Sequence, residues 1–271
     1  MAKSCMPEGF WEVAEPLLPP DRPVGPKGGR PRVPNRIALR AVWYVLTAGV
    51  RWQDVPAEVG CSGRTAHRRL VEWQQAGVWH ALHLALLALL ALLRRDGKLD
   101  PGTAVVDGTY VPSPGGGPLV GRNPTDRGKA GVKHTLLVDR HGVPLAVRTA
   151  GANASDHTQI LPVVLDFPEV GGKPGRPKEM PDELYADRGY DSAATRALLR
   201  WLGIEPHVAK RGTAHGSGLG KARWVVERTV AWLKGLRRLR VRWDRLAVVQ
   251  HAWNALAMSA ICFRLWCECQ V

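Results

Sequence analysis

Apolar residues recur at helical spacing from Ile37 through Leu39, Val42, Trp43 and Leu46, bounded by Asn35 and Gly49, which predicts an amphipathic helix with Asn35 at its start. A short segment follows from Arg51 to Glu58, with Trp52 and Val55 as its apolar positions. Gly60-Cys61-Ser62 then makes a tight turn, and Ser62 caps a third helix running through Gln75, with Leu70 and Trp73 on its apolar side. The most apolar run, Ala81 to Leu93, is too short to span a bilayer, carries His83 and ends in Arg94-Arg95, so it reads as a buried helix.

The period changes beyond Asp100-Pro101-Gly102. Short β-prone runs cover Thr103 to Asp107, Val132 to Val138 and Val143 to Thr149, the last two joined by a hairpin turn at Asp139-Arg140-His141-Gly142. Asp156 is placed to cap a helix through Leu165. Then come a Gly/Pro/Lys-rich loop from Gly171 to Pro181, a strand ending at Asp187 and a helix from Ser192 to Leu202. A short strand near Pro206 to Ala209, a Gly-rich basic loop from Gly212 to Gly220, a helix around Glu227 and a closing helix from Val248 to Trp266 complete the chain. This order resembles the ribonuclease-H-like α/β fold, which implies such a domain over residues 99–271, with a mixed five-stranded sheet and flanking helices, preceded by an all-α domain over residues 1–98 whose helices resemble a helix-turn-helix module.

Charge adds a partner. The 271 residues carry 38 Lys and Arg against 24 Asp and Glu, a formal net charge of +14, which a polyanion offsets naturally. The excess is clustered. From Arg22 to Arg51 there are seven cations and no acid; from His207 to Arg245 there are eleven cations and two acids, Glu227 and Asp244. Pro16 to Pro34, with Gly28-Gly29-Arg30-Pro31-Arg32 at its centre, reads as an extended basic arm of the kind that lies along phosphates or in a minor groove. On the third helix Arg64, His67 and Arg68 share a face. Arm and helix together predict contact with double-stranded DNA. Five cysteines, no paired CxxC and no leader pattern point to a reduced cytoplasmic setting and away from a zinc site.

Three acids stand out. Asp107 closes Ala104-Val105-Val106, and Asp187 closes Leu184-Tyr185-Ala186, each with a glycine within two positions. Both suit the mouth of a sheet, whereas Asp139, Asp156 and Asp191 fit turn and cap roles. Glu227 lies in Arg223-Trp224-Val225-Val226-Glu227-Arg228, and rotation of about 100° per residue brings Arg223, Glu227 and Lys234 to one stripe of the helix. An intrahelical salt-bridge stripe explains that pattern as simply as a site does. Three carboxylates supply an oxygen-only cage suited to Mg²⁺ or Mn²⁺.

The whole length resembles the bacterial insertion-sequence transposases of the DDE type, in the IS-four and IS-five groups. The matching stretches are Gly29-Arg30-Pro31-Arg32, Thr47 to Pro56, Asp107-Gly108-Thr109-Tyr110, Gly131-Val132-Lys133-His134, Ala186 to Asp191, and Arg223 to Leu233. The resemblance implies Asp107, Asp187 and Glu227 as the catalytic, metal-holding triad, with two Mg²⁺ or Mn²⁺ ions. It implies Arg223, Lys234 and Lys133 on DNA beside Arg30, Arg32, Arg64, His67 and Arg68. It further implies terminal inverted repeats as substrate, strand cleavage followed by strand transfer, and a homodimer acting on paired ends in the cytoplasm, with no membrane. The family's helix signature has Tyr where this chain has Gly220. A transposase-derived repressor without catalysis is the rival expectation.

Overall fold

The computed structural model describes residues 5–21, 28, 31–92, 99–169, 178–210 and 220–270, with the side chains of 220–222 left aside. The N-terminal part is helical: α1 (Glu8–Ala14), α2 (Asn35–Ala48), α3 (Gly63–Gln75) and α4 (Val78–Leu92). Gly49 ends α2 in the left-handed conformation that glycine tolerates best, and the Ser62 hydroxyl accepts the Thr65 N–H at the start of α3. Single 3₁₀ turns at Trp52–Asp54 and Ala57–Val59 bridge the two. α4 is apolar nearly all round because it is enclosed: Trp79, Leu82, Leu86, Leu87 and Leu90 are buried. Among the described residues no single helix is long and apolar enough to cross a membrane.

The remainder alternates as β1 (Thr103–Pro112), β2 (Gly121–Arg122), β3 (Ala130–Asp139), β4 (Pro144–Gly151), α5 (Asp156–Leu165), β5 (Glu183–Ala186), α6 (Ala193–Trp201), β6 (Glu205–Val208), α7 (Gly220–Gly235) and α8 (Ala247–Glu268). β1, β3 and β4 form an antiparallel meander, while β5 and β6 add in parallel beside β1. This mixed order, with the first strand central and the parallel pair on its far side, is the ribonuclease-H-like arrangement. A two-residue strand, β2, pairs with β3 and brings the sheet to six strands instead of the expected five.

Two expectations need correction here. β1 does not stop at Asp107 but runs five residues further, because Gly108 to Pro112 find partners along β3 as far as Gly131. Asp156 is not the cap of α5: Ser155 holds the N-cap position, and the Asp156 carboxylate is engaged elsewhere. The core is continuous from α2, α3 and α4 through α8 to the sheet. Trp52 stacks on Trp253 of α8 at 5.4 Å, and both indole N–H groups donate to Asp244, at 3.1 and 3.0 Å. Arg238 ion-pairs with the same carboxylate at 2.8 Å, so one half-buried acid ties the N-terminal helices to the C-terminal part.

Candidate active site

β1 and β5 place the two aspartates together. Their parallel register sets Val105 beside Tyr185, and continuing it past the end of β5 sets Asp107 beside Asp187. Asp107 remains within a strand whose antiparallel partner fixes it opposite Leu136. Asp187 follows β5 directly and caps a 3₁₀ turn, its Oδ1 accepting the Gly189 N–H at 2.7 Å. The Asp107 Oδ1 accepts the Gly108 N–H at 2.8 Å. Each carboxylate thus keeps its second oxygen turned to a common space.

Glu227 reaches that space from α7, and two hooks fix the helix over the sheet. The buried Thr229 hydroxyl donates to the Gly142 carbonyl at 2.6 Å, and Arg228 donates to the His141 carbonyl. Gly142 lies at φ +81°, and a β-carbon there would sit 2.9 Å from the Thr229 hydroxyl, so the β3–β4 turn approaches α7 only because it ends in glycine. Val225, Val226 and Leu233 bury the inner face. Arg228 also lies over the rings of Trp224 and Trp232, both at 4.6 Å.

Arg223, one turn before Glu227, completes the cluster. Its Nη2 lies 3.7 Å from Asp107, 3.9 Å from Asp187 and 4.0 Å from Glu227. One guanidinium nitrogen therefore stands among three carboxylates drawn from β1, the end of β5 and α7. Burial pushes the Asp107 carboxyl up to about 6; the Gly108 N–H and Arg223 pull it down, and the charges of Asp187 and Glu227 push it further up. Among the described residues no three acids are yet close enough for a single cation; their spacing is that of carboxylates around a guanidinium. The donor set nonetheless fits a hard divalent cation, since it is oxygen only, carries three charges and already surrounds a positive group.

Comparison with known proteins gives the cluster its context. A family model described as "Transposase DDE domain" matches residues 98–262, and one described as "Putative transposase of IS4/5 family" matches residues 6–83. The chain belongs to the DDE transposases. A relative from Burkholderia cepacia, "Putative transposase for insertion sequence element IS402", is 51% identical over 148 residues, which is 55% of this chain and 70% of the relative. A second protein from that organism, "Insertion element IS402 uncharacterized 16.2 kDa protein", is 45% identical over 126 residues, 46% of this chain and 84% of its own length. Among solved structures, the Mos1 strand transfer complex covers 92% of this chain and 80% of its own at 13% identity, with a TM-score of 0.34.

The other residues expected at the site of this transposase are placed variously. Lys234 lies two turns after Glu227 on α7, half-buried. Lys133 is not on the surface: its side chain is 3% exposed and its ammonium donates to the Ala154 carbonyl and, at 2.8 Å, to Asp156. Arg30 lies outside the described residues. Arg32 folds back onto α3 and pairs with Glu72, so the described end of the arm is docked and not free. His67 packs edge-on against Trp52 at 5.2 Å, which takes it from the exposed face that Arg64 and Arg68 occupy. Between Pro31–Val33 and the start of α3 opens a cleft of about 420 Å³, lined by Arg32, Ser62, Thr65 and Arg68. Sequence reasoning did not place Asp156 and Tyr190 beside the two aspartates, as the fold does; the one hint was that Tyr190 follows Asp187 within the same short turn.

Proposed function

We propose that the chain binds the terminal inverted repeats of an insertion sequence and, with Mg²⁺ or Mn²⁺, cuts a strand at each end and joins the freed 3′-hydroxyl to target DNA. The observation that carries this reading is the convergence of Asp107, Asp187 and Glu227 on one cationic nitrogen. The three carboxylates would hold two divalent ions, which when bound supply Lewis-acid polarisation of the attacking and leaving oxygens of a phosphodiester. The residues do the rest. The β1–β5 register and the α7 hooks hold the carboxylates in fixed relation. Water attacks the end phosphodiester, its P–O3′ bond breaks to free the 3′-hydroxyl, and that hydroxyl attacks the target phosphodiester, so no protein nucleophile is required. Arg223, displaced from among the carboxylates, is placed to reach a phosphate beside them, and Lys234 to reach the next along the helix.

Double-stranded DNA as partner rests on the +14 net charge and on Arg64 and Arg68 exposed along α3, beside the cleft at its N-terminal end. A homodimer follows from the need to hold two ends at once. The division into a DNA-reading part, residues 1–98, and a catalytic part, residues 99–271, belongs to the same proposal.

The test is cleavage of a labelled duplex carrying the element's terminal repeat. Wild-type protein with Mg²⁺ is expected to release a 3′-hydroxyl product, and Asp107→Asn, Asp187→Asn and Glu227→Gln each to lose cleavage by at least about a hundredfold while still binding the duplex. Near-wild-type cutting by any one of the three contradicts the triad. Sequence-specific binding without cutting by the wild type would instead favour a repressor.

A further inference from the structure

A second layer of polar side chains lies behind the triad. Lys133 projects from β3, buried to 3% exposure, with its ammonium 2.8 Å from Asp156 Oδ1 and 5.0 Å from the centre of the Tyr110 ring. The pair explains one oxygen of Asp156. The other lies near Asp187: a β-carbon on Gly189 would lie 3.0 Å from Asp156 Oδ2 and 2.9 Å from Asp187 Oδ1, so both carboxylates crowd the same glycine. Tyr190 approaches from the other side. A β-carbon on Gly108, the residue after Asp107, would lie 3.3 Å from the Tyr190 hydroxyl and 3.5 Å from Asp156 Oδ1. That hydroxyl is buried, and among the described residues nothing bonds to it.

A plain structural role accounts for only half of this. An ion pair from β3 to α5 uses one carboxylate oxygen and leaves the second, on a side chain one-third exposed, near Asp187. A tyrosine ring packed at 1% exposure needs no hydroxyl, and burying one without a partner costs on the order of 1–3 kcal/mol, so phenylalanine would serve the packing better. Both surplus groups face the acids, one an acceptor and one a donor. Because Lys133 already balances the charge of Asp156, that carboxylate competes weakly as a direct metal ligand and suits an indirect role.

We infer that Asp156, fixed by Lys133, and the Tyr190 hydroxyl are positioning residues that form the outer shell of the metal site, aligning the Asp107 and Asp187 carboxylates and the hydration of the cation they hold. This rests on the metal-dependent reading above. Outer-shell partners of this kind set ligand orientation, and their loss typically weakens metal binding by roughly ten- to a hundredfold.

The experiment is Mn²⁺ binding to the full chain, followed by the loss of the free-ion electron paramagnetic resonance signal, with thermal midpoints alongside. Tyr190→Phe, which removes one oxygen atom, and Asp156→Asn are expected to weaken Mn²⁺ binding by about tenfold or more. The double variant Lys133→Met/Asp156→Asn removes the unpaired lysine, and is expected to recover the midpoint but not the affinity. Wild-type affinity in both Tyr190→Phe and the double variant overturns the inference, even if Asp156→Asn alone is too unstable to measure. Asp187→Asn is the reference: if it abolishes binding while the outer variants do not, only the outer shell fails. If Asp187→Asn itself binds like the wild type, the metal reading falls and this inference with it.

Discussion

Arg223 sets the charge balance of the site. If it made only the i,i+4 contact with Glu227, its loss would cost about 0.3–0.5 kcal/mol and scarcely move a melting curve. The geometry is different: the same nitrogen lies within 4.0 Å of three carboxylates, and its removal leaves three negative charges facing one another. Arg223→Met is therefore expected to lower the thermal midpoint in EDTA by about 2–4 °C, the shift that roughly 1 kcal/mol produces at this size. Added Mg²⁺ should restore most of it, and cleavage should fall on the order of a hundredfold even so. Equal midpoints with and without Mg²⁺ would place the cation elsewhere.

His83 makes a second prediction. Its Nε2 bonds the Pro144 carbonyl at 2.9 Å inside the core, and burial pulls its pKa down to about 4 from an ordinary value near 6.5. The folded chain thus binds fewer protons there than the unfolded one. The stability it confers is complete above pH 6.5 and is lost as pH falls towards 4. Asp139, pushed up to about 7 by burial although three backbone N–H donors pull it down, works in the opposite sense over the same range. The readout is accordingly the gap in thermal midpoint between wild type and His83→Gln, which should narrow from pH 7 to pH 5. A constant gap would contradict the assignment.

At the scale of elements, α7 decides whether Glu227 faces the aspartates, and the Thr229 hook decides where α7 sits. Thr229→Val keeps the volume and removes the bond to the Gly142 carbonyl, at an expected cost of about 1 kcal/mol. Cleavage should fall by more than that stability loss explains, because a small displacement of the helix misplaces a ligand; proportional losses would make the hook merely structural. Much of this scale was legible in the sequence. The apolar runs before Asp107 and Asp187 and the 3.6-residue period around Glu227 gave the three elements and their acids. Tertiary pairing was not. Nothing local says that Gly108 to Pro112 continue β1, since the extension depends on partners along β3 that lie 19 to 27 residues away. Lys133 reads as one more cation until its strand turns it inward onto Asp156, and Asp156 reads as a cap until Lys133 claims it. Arg32 likewise reads as part of a free arm, and only the fold brings Glu72 to meet it.

The molecule as a whole joins a helical, basic N-terminal part to the ribonuclease-H-like sheet through one core. Asp244 gathers Trp52, Trp253 and Arg238 at the seam. The consequence is a fixed relation between the exposed Arg64–Arg68 face and the three acids, so that under the proposed function reading a sequence and presenting a phosphate would be geometrically linked. The central claim is that the acids hold the metal at that second point. Its most direct measurement is diffraction at the manganese absorption edge from the full chain soaked with Mn²⁺ and bound to a duplex carrying the terminal repeat. The account predicts anomalous peaks bounded by Asp107, Asp187 and Glu227, with the Arg223 guanidinium moved off the carboxylates and onto a phosphate. Peaks elsewhere, or Arg223 still seated among the three acids with no manganese beside them, would contradict it.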